Sequence, residues 1–229
     1  EIAGKRFKLG CILCEDGWSE EYAVKPISLI NRKGPVDLFV NISTSPYTRG
    51  KNNKRNRVFS RQVSETGVPL VYVNNVGIQN NGKTVYTFDG CSTVYNGSGE
   101  IIDYCQPFSE EIKVVDMDLA GRCMGQHPVE VPDDRGIDSI YKSLNYGIAK
   151  FLYSTGIQKV VIGVSGGIDS AVSACLYNKV LAPEQVLLVN MPSIYNSQTT
   201  KDLSTRLAYN LGCLYTIMPI QEVFEYTVK

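Results

Sequence analysis

The chain has 229 residues, 43% of them hydrophobic and 20% charged, and its 23 basic and 23 acidic side chains balance to zero. That length accommodates one large or two small domains, and the charge balance argues against bulk attraction to nucleic acid or an anionic membrane. No apolar run approaches the ~20 residues of a transmembrane helix, and the single histidine, His127, lies in a polar, loop-like stretch that suits a surface residue better than a catalytic one.

In chain order, residues 7–14 (FKLGCILC) read as a buried strand that Glu15-Asp16-Gly17-Trp18 terminates sharply. Two readings of Cys14 stand side by side. It is a nucleophile lifted out of the sheet at an elbow, with the Glu15 N–H in an oxyanion hole, or it is a small core hydrophobe. Cys11 lies three residues earlier, on the opposite side of a strand, and is expected to be the core thiol. Seven scattered cysteines form an odd set that reads as reduced, cytosolic thiols, and one Cys-x-x-Cys pair without further partners is a poor zinc site.

Residues 20–33 read as helical, interrupted or kinked near Pro26, residues 36–43 as a strand and residues 44–51 as a loop. Lys51 to Thr66 follows as a basic helix that Gly67 closes. Its run Lys51, Lys54, Arg55, Arg57 and Arg61 is expected to form a solvated face, with Lys51 placed to meet a carboxylate presented by the preceding loop. Residues 69–76 make another strand, so strand and helix alternate through this first part. Short strands at 85–90, 91–95 and 100–104 are separated by the hairpin signals Asp89-Gly90 and Asn96-Gly97-Ser98-Gly99. A further strand is expected over 111–119. Residues 120–136 carry Gly, Pro and Asp-Asp without periodicity and read as a linker.

Residues 137–154 form an amphipathic helix whose stripe, Ile137, Ile140, Tyr141, Leu144, Ile148 and Leu152, is expected to be core. An apolar run, residues 160–164, then breaks at Ser165-Gly166-Gly167, and Asp169-Ser170 lead into a helix. A buried strand, a small-residue loop and a helix start make a phosphate cradle, because loop N–H groups and the helix N-terminus point at one anion. No Gly-Lys-[Ser/Thr] or Gly-x-Gly-x-x-Gly pattern is present, so neither the Walker loop nor the dinucleotide fingerprint applies. Residues 186–191 and 214–218 are further strands. A helix over 197–211, closed by Gly212, lies between them, and another begins near Glu222.

The order Ser165-Gly166-Gly167-x-Asp169-Ser170 resembles the pyrophosphate-binding loop of ATP pyrophosphatases, which adenylylate a substrate oxygen and release pyrophosphate. Upstream, Leu13-Cys-Glu-Asp-Gly-Trp18, Asn41-Ile-Ser-Thr-Ser-Pro-Tyr47 with Lys51, and Val71-Tyr-Val-Asn-Asn-Val-Gly77 continuing to Phe88-Asp-Gly-Cys-Ser92 look like a nitrilase-type amidase. Joined in this order, and with Asn190-Met-Pro-Ser193, the blocks resemble glutamine-dependent NAD synthetases over essentially the whole chain. Other enzymes with the same loop, such as GMP and asparagine synthetases, pair it with a Cys-His amidase or an N-terminal Cys, and the upstream block matches neither.

The resemblance implies an α/β fold: part of a nitrilase-like αββα sandwich (residues 1–121), a linker (122–136) and part of a doubly wound parallel-sheet ATP-binding domain (137–229). It implies a ligase that hydrolyses glutamine, adenylylates deamido-NAD with ATP and lets ammonia displace AMP. It makes Cys14 the nucleophile and Ser45 and Lys51 the glutamine-binding residues. Gly163, Val164, Ser165, Gly166, Gly167, Ile168, Asp169 and Ser170 hold ATP, with Asp169 on Mg²⁺. A homo-oligomer in the cytoplasm, with no nucleic-acid or membrane partner, completes the expectation. The family's base glutamate and lysine lie upstream of the nucleophile, and neither motif is among the 13 residues before Cys14. The chain therefore reads as an interior piece of a longer protein, inactive alone as a glutaminase. The rival reading is a non-catalytic fragment or partner subunit.

Overall fold

In the computed structural model, which describes residue 4, residues 6–117 and residues 127–228, the chain divides after Ser143 into two compact units. In the first, β1 (Leu9–Leu13), β2 (Leu38–Ser43) and β3 (Leu70–Asn74) pair in parallel. β6 (Thr93–Tyr95) and β7 (Ile101–Tyr104) extend the sheet antiparallel, giving the order β1-β2-β3-β6-β7. Parallel neighbours need crossovers, and α1 (Pro26–Lys33) and α2 (Lys51–Thr66) supply them. Ile27, Phe59 and Val63 of these helices pack on Ile12, Phe39, Leu70, Tyr72 and Tyr95 of the sheet to form one core. A separate hairpin, β4 (Val76–Asn80) with β5 (Val85–Asp89), projects from the end of β3.

Among the described residues the other face of β1–β3 is less covered, with Leu9, Leu13, Ile42 and Val73 exposed by 53, 63, 58 and 43%. The strand expected to be buried is thus buried on one side only. Cys11, expected in the core, is exposed, and Ile12 takes the core position because period-two alternation sends the two side chains to opposite faces. The helical stretch is interrupted before Pro26, not kinked there: Pro26 begins α1, since a first-turn position needs no N–H donor. The stretch 69–76 splits at Asn75, where β3 hands over to the hairpin. Residues 111–116 form no strand, and Ile112 is 98% exposed with no neighbouring ladder. Residues 118–119 of that expected strand, and 122–126 of the expected linker, lie outside the described residues.

α2 has Gly50 at its N-cap, which offers no side-chain acceptor. Asp134 supplies one from far along the chain: its carboxylate accepts the N–H groups of Asn52 at 2.8 Å and Asn53 at 3.1 Å. The helix ends as the sequence indicates, with Gly67 left-handed and donating to the carbonyl of Val63.

The division after Ser143 falls inside α3 (Ile137–Thr155). Along the expected core stripe, Leu152 is buried while Ile137, Tyr141 and Leu144 are exposed, because the first turns of the helix direct a different side inward: Ser143 is buried and the Ser139 hydroxyl meets that of Tyr47 at 2.7 Å. In the second unit, β8 (Val160–Gly163), β9 (Val186–Asn190) and β10 (Leu214–Ile217) form a parallel sheet. α4 (Ile168–Val180) and α5 (Gln198–Leu211) connect them in turn, and α6 (Gln221–Val228) follows. Val164, Ala174, Val186, Leu188 and Ala208 make its core. Ser197 caps α5 by accepting from Thr200 N–H, and Gly212 closes it in the left-handed conformation. The architecture is the expected α/β one.

Candidate active sites

The first site grows from the end of β1. After Leu13 the chain turns into a 3₁₀ segment, Cys14–Glu21, and Cys14 has φ +37°. A non-glycine residue there costs on the order of 1–3 kcal/mol and persists only when its surroundings fix it. They do so from both sides. Asp16 accepts the Leu13 N–H at 2.9 Å, and Gln62 of α2 donates to the Gly17 carbonyl at 2.8 Å. Gly17 lies so close to Phe59 that a Cβ would come within 2.4 Å of its ring. The elbow therefore depends on having no side chain at Gly17.

Cys14, half-buried, lines a cavity of about 540 Å³ together with Ser45 and Lys51. The three come from separate places: the end of β1, the loop after β2 and the first residue of α2. Lys51 Nζ donates to the Pro46 carbonyl at 3.0 Å and lies 5.9 Å from the centre of the Trp18 ring. Its pKa is held below the ordinary lysine value, chiefly by desolvation and then by the Arg55 cation, against the opposing pull of Asp89, Cys14 and Glu15. The same cavity is lined by Glu15, Trp18 and Lys54, and Lys54 Nζ is 5.8 Å from the Trp18 ring. An amino acid needs a cation for its carboxylate and an anion for its ammonium, and this wall offers both.

Trp18 and Lys54 were not singled out as wall residues by sequence. The available signal was spacing, since Lys54 follows Lys51 by three residues on one helix face. Arg55 corrects the reading of the basic run as a solvated face. It is fully buried and forks onto both Asp89 oxygens at 3.3 Å, while Lys54, Arg57 and Arg61 are exposed. A guanidinium can enter a core when a carboxylate receives it in this two-pronged way.

The second site is the turn from β8 to α4. Gly163 ends β8, and Val164 is buried in the core, its N–H bonded to Val189 O at 2.9 Å. Ser165, Gly167, Ile168 and Asp169 are exposed, with Gly166 and Ser170 half-buried. Ser170 Oγ donates to Gly167 O at 3.0 Å, and Ser165 Oγ accepts from Gly167 N–H at 3.3 Å, so the hydroxyls fold the loop on itself. Gly166 has φ +81°, and a Cβ there would meet Thr200 O at 2.3 Å, so no other residue fits without displacing α5. α4 begins at Ile168, which places Asp169 and Ser170 in its first turn, where anions are favoured. A neighbouring cavity of about 410 Å³ is walled by Gly166, Gly167 and Ile168 with Leu203 and Arg206 of α5.

Among the described residues no group of three or more His, Cys, Asp or Glu side chains is placed to hold a metal ion. Within the loop residues 163–170, Asp169 is the one carboxylate. That donor set fits a Mg²⁺ held by one carboxylate and the phosphates of a bound nucleotide, and does not fit an all-protein cage.

Residues 140–229 match the family model described as NAD synthase. The chain is 35% identical over 224 residues to a glutamine-dependent NAD(+) synthetase of Synechocystis sp., an alignment covering 94% of this chain and 39% of that protein. It is 33% identical over 249 residues to the enzyme of the same name from Thermotoga maritima, covering 95% and 42%. Among solved structures, the glutamine-dependent NAD+ synthetase of Acinetobacter baumannii in complex with adenosine diphosphate superimposes with a TM-score of 0.83 at 28% identity. That match covers 97% of this chain and 40% of the other. The chain spans about 40% of the length of the relatives it matches, and these are the proteins its motifs resemble.

Proposed function

We propose that this chain carries parts of both catalytic units of a glutamine-dependent NAD synthetase. The single observation that carries this reading is the convergence of Cys14, Ser45 and Lys51 on one cavity from three separate elements. The Cys14 thiolate attacks the glutamine side-chain carbonyl carbon. A C–S bond forms, the C–N bond breaks, and the nitrogen leaves as ammonia after taking up a proton. Water then attacks the thioester, giving glutamate and the free thiol. Lys51 pairs with the substrate α-carboxylate, Ser45 contributes its polar groups, and the Glu15 N–H assists the developing oxyanion. The general base and its lysine partner belong, on this reading, to residues outside the chain.

At the second site, a carboxylate oxygen of deamido-NAD attacks the α-phosphorus of ATP, and pyrophosphate leaves. Ammonia then attacks the acyl carbon and AMP departs, leaving the amide of NAD. The loop 165–170 and the first turn of α4 hold the phosphates through N–H groups and the two serine hydroxyls, and Val164 forms the floor beneath them. Bound at Asp169, Mg²⁺ would neutralise phosphate charge. A homo-oligomer in the cytoplasm accompanies this reading, and no described helix is long and apolar enough to cross a membrane.

The test uses the full-length protein with two variants. Cys14→Ala should abolish NAD formation from glutamine while synthesis from added ammonium persists. Asp169→Ala should abolish NAD formation from either nitrogen source while glutamine hydrolysis continues. Loss of ammonium-driven synthesis in the first variant, or its survival in the second, overturns the assignment.

A further inference from the structure

Ser45 sits on a loop, and loops do not hold a geometry by themselves. Its backbone is fixed by a side chain. Asn74, the last residue of β3, is buried, and its Oδ1 accepts the Ser45 N–H at 2.9 Å. Its Nδ2 donates to the Ser45 carbonyl at 3.2 Å and to Gly90 O at 2.9 Å. Ser43 is the last residue of β2 paired with β3, so the amide of Asn74 carries the sheet's hydrogen bonding beyond the end of the ladder and onto the loop. Only an amide presents a donor and an acceptor side by side in this way.

Asn74 is itself anchored. Asp89 Oδ1 lies 3.4 Å from Asn74 Nδ2, and both oxygens of Asp89 receive the buried Arg55 guanidinium. Arg55 also donates to Asn52 Oδ1 at 2.9 Å and stacks 4.9 Å from the centre of the Tyr72 ring. It follows Lys51 by one helical turn on α2. One connected network thus runs from the helix that carries Lys51 through Arg55, Asp89 and Asn74 to the backbone of Ser45. A buried ion pair placed only for stability has no need of this continuation, since apolar residues of similar volume serve as well or better.

We infer that Asn74 is a positioning residue for glutamine recognition, which sets Ser45 relative to Lys51, and that the buried Arg55–Asp89 pair fixes Asn74. The inference deepens the functional reading above and rests on it. The test uses the full-length protein with Asn74→Asp, which is isosteric but cannot donate to Ser45 O, and Asn74→Ser, which removes both bonds to Ser45 and adds no charge. Three quantities are measured: KM and kcat for glutamine hydrolysis, the rate at which iodoacetamide alkylates Cys14, and the melting temperature.

A positioning role raises KM for glutamine by about tenfold or more with kcat within about threefold. It leaves alkylation within about twofold of wild type, because iodoacetamide has no α-carboxylate to be placed. Should the Asp variant fail to fold, the Ser variant gives the reading. An unchanged KM in a folded variant overturns the inference and leaves the functional reading intact. So does a parallel change in KM, alkylation and melting temperature, which marks a merely structural residue. A wild-type protein that hydrolyses no glutamine overturns the functional reading, and this inference with it.

Discussion

Lys51 is the residue whose environment changes its chemistry most usefully. Burial and the Arg55 cation push its pKa down, so its ammonium is lost at a lower pH than a free lysine's. If that ammonium holds the substrate carboxylate, KM for glutamine in the full-length protein should rise as the pH climbs through the lowered value. Lys51→Arg should flatten this alkaline rise, because a guanidinium stays protonated throughout. An unchanged profile in the variant would remove Lys51 from the carboxylate contact. The stability effect has the opposite sign. Between the lowered and the free pKa the folded state binds fewer protons than the unfolded one, so this group adds stability as pH rises across that window.

At the scale of elements, α2 is the organising piece. Its first residue reaches the Cys14 cavity, Arg55 in its second turn enters the core, and Gln62 near its end holds the elbow. Its N-terminus depends on Asp134 for two N–H groups. Asp134→Ala should therefore destabilise the first unit by roughly 1–2 kcal/mol, the usual cost of a lost N-cap. Urea titration followed by the fluorescence of Trp18, the chain's single tryptophan, reads that unit alone. Asp134→Asn, which keeps an acceptor, should lose less, and no shift in either variant would show that the cap contributes nothing.

For the molecule as a whole, the less covered face of the first sheet is a surface with consequences in solution. Leu9, Leu13, Ile42 and Val73 lie on adjacent strands with their side chains exposed. A contiguous apolar patch of this kind binds apolar dyes and promotes self-association. The 229-residue chain should accordingly enhance the fluorescence of anilinonaphthalene sulfonate while its Trp18 signal reports a folded first unit. Ile42→Lys, at the centre of the patch, should reduce the dye signal severalfold without shifting the Trp18 unfolding midpoint downward. Equal dye binding by both proteins would place the apolar surface elsewhere.

What the sequence determined by itself was a set of features that depend on near neighbours along the chain. The strand that leads to Cys14, the helix closed by Gly67 and the helix between Ser197 and Gly212 are local facts of propensity and capping. The order of small residues from Ser165 to Ser170 is another. What only the tertiary structure decided was pairing between distant residues. Arg55 reads as one more cation in a basic run until Asp89 meets it. Asp134 reads as linker until it caps a helix 82 residues earlier. Cys11 and Ile12 exchange inside and outside because the side from which helices cover β1 is chosen by α1 and α2, not by the strand. A sequence displays its periodicities openly, but a hydrogen bond or an ion pair between remote positions has no signature along the chain until the fold brings the two groups within 3 Å or so of each other.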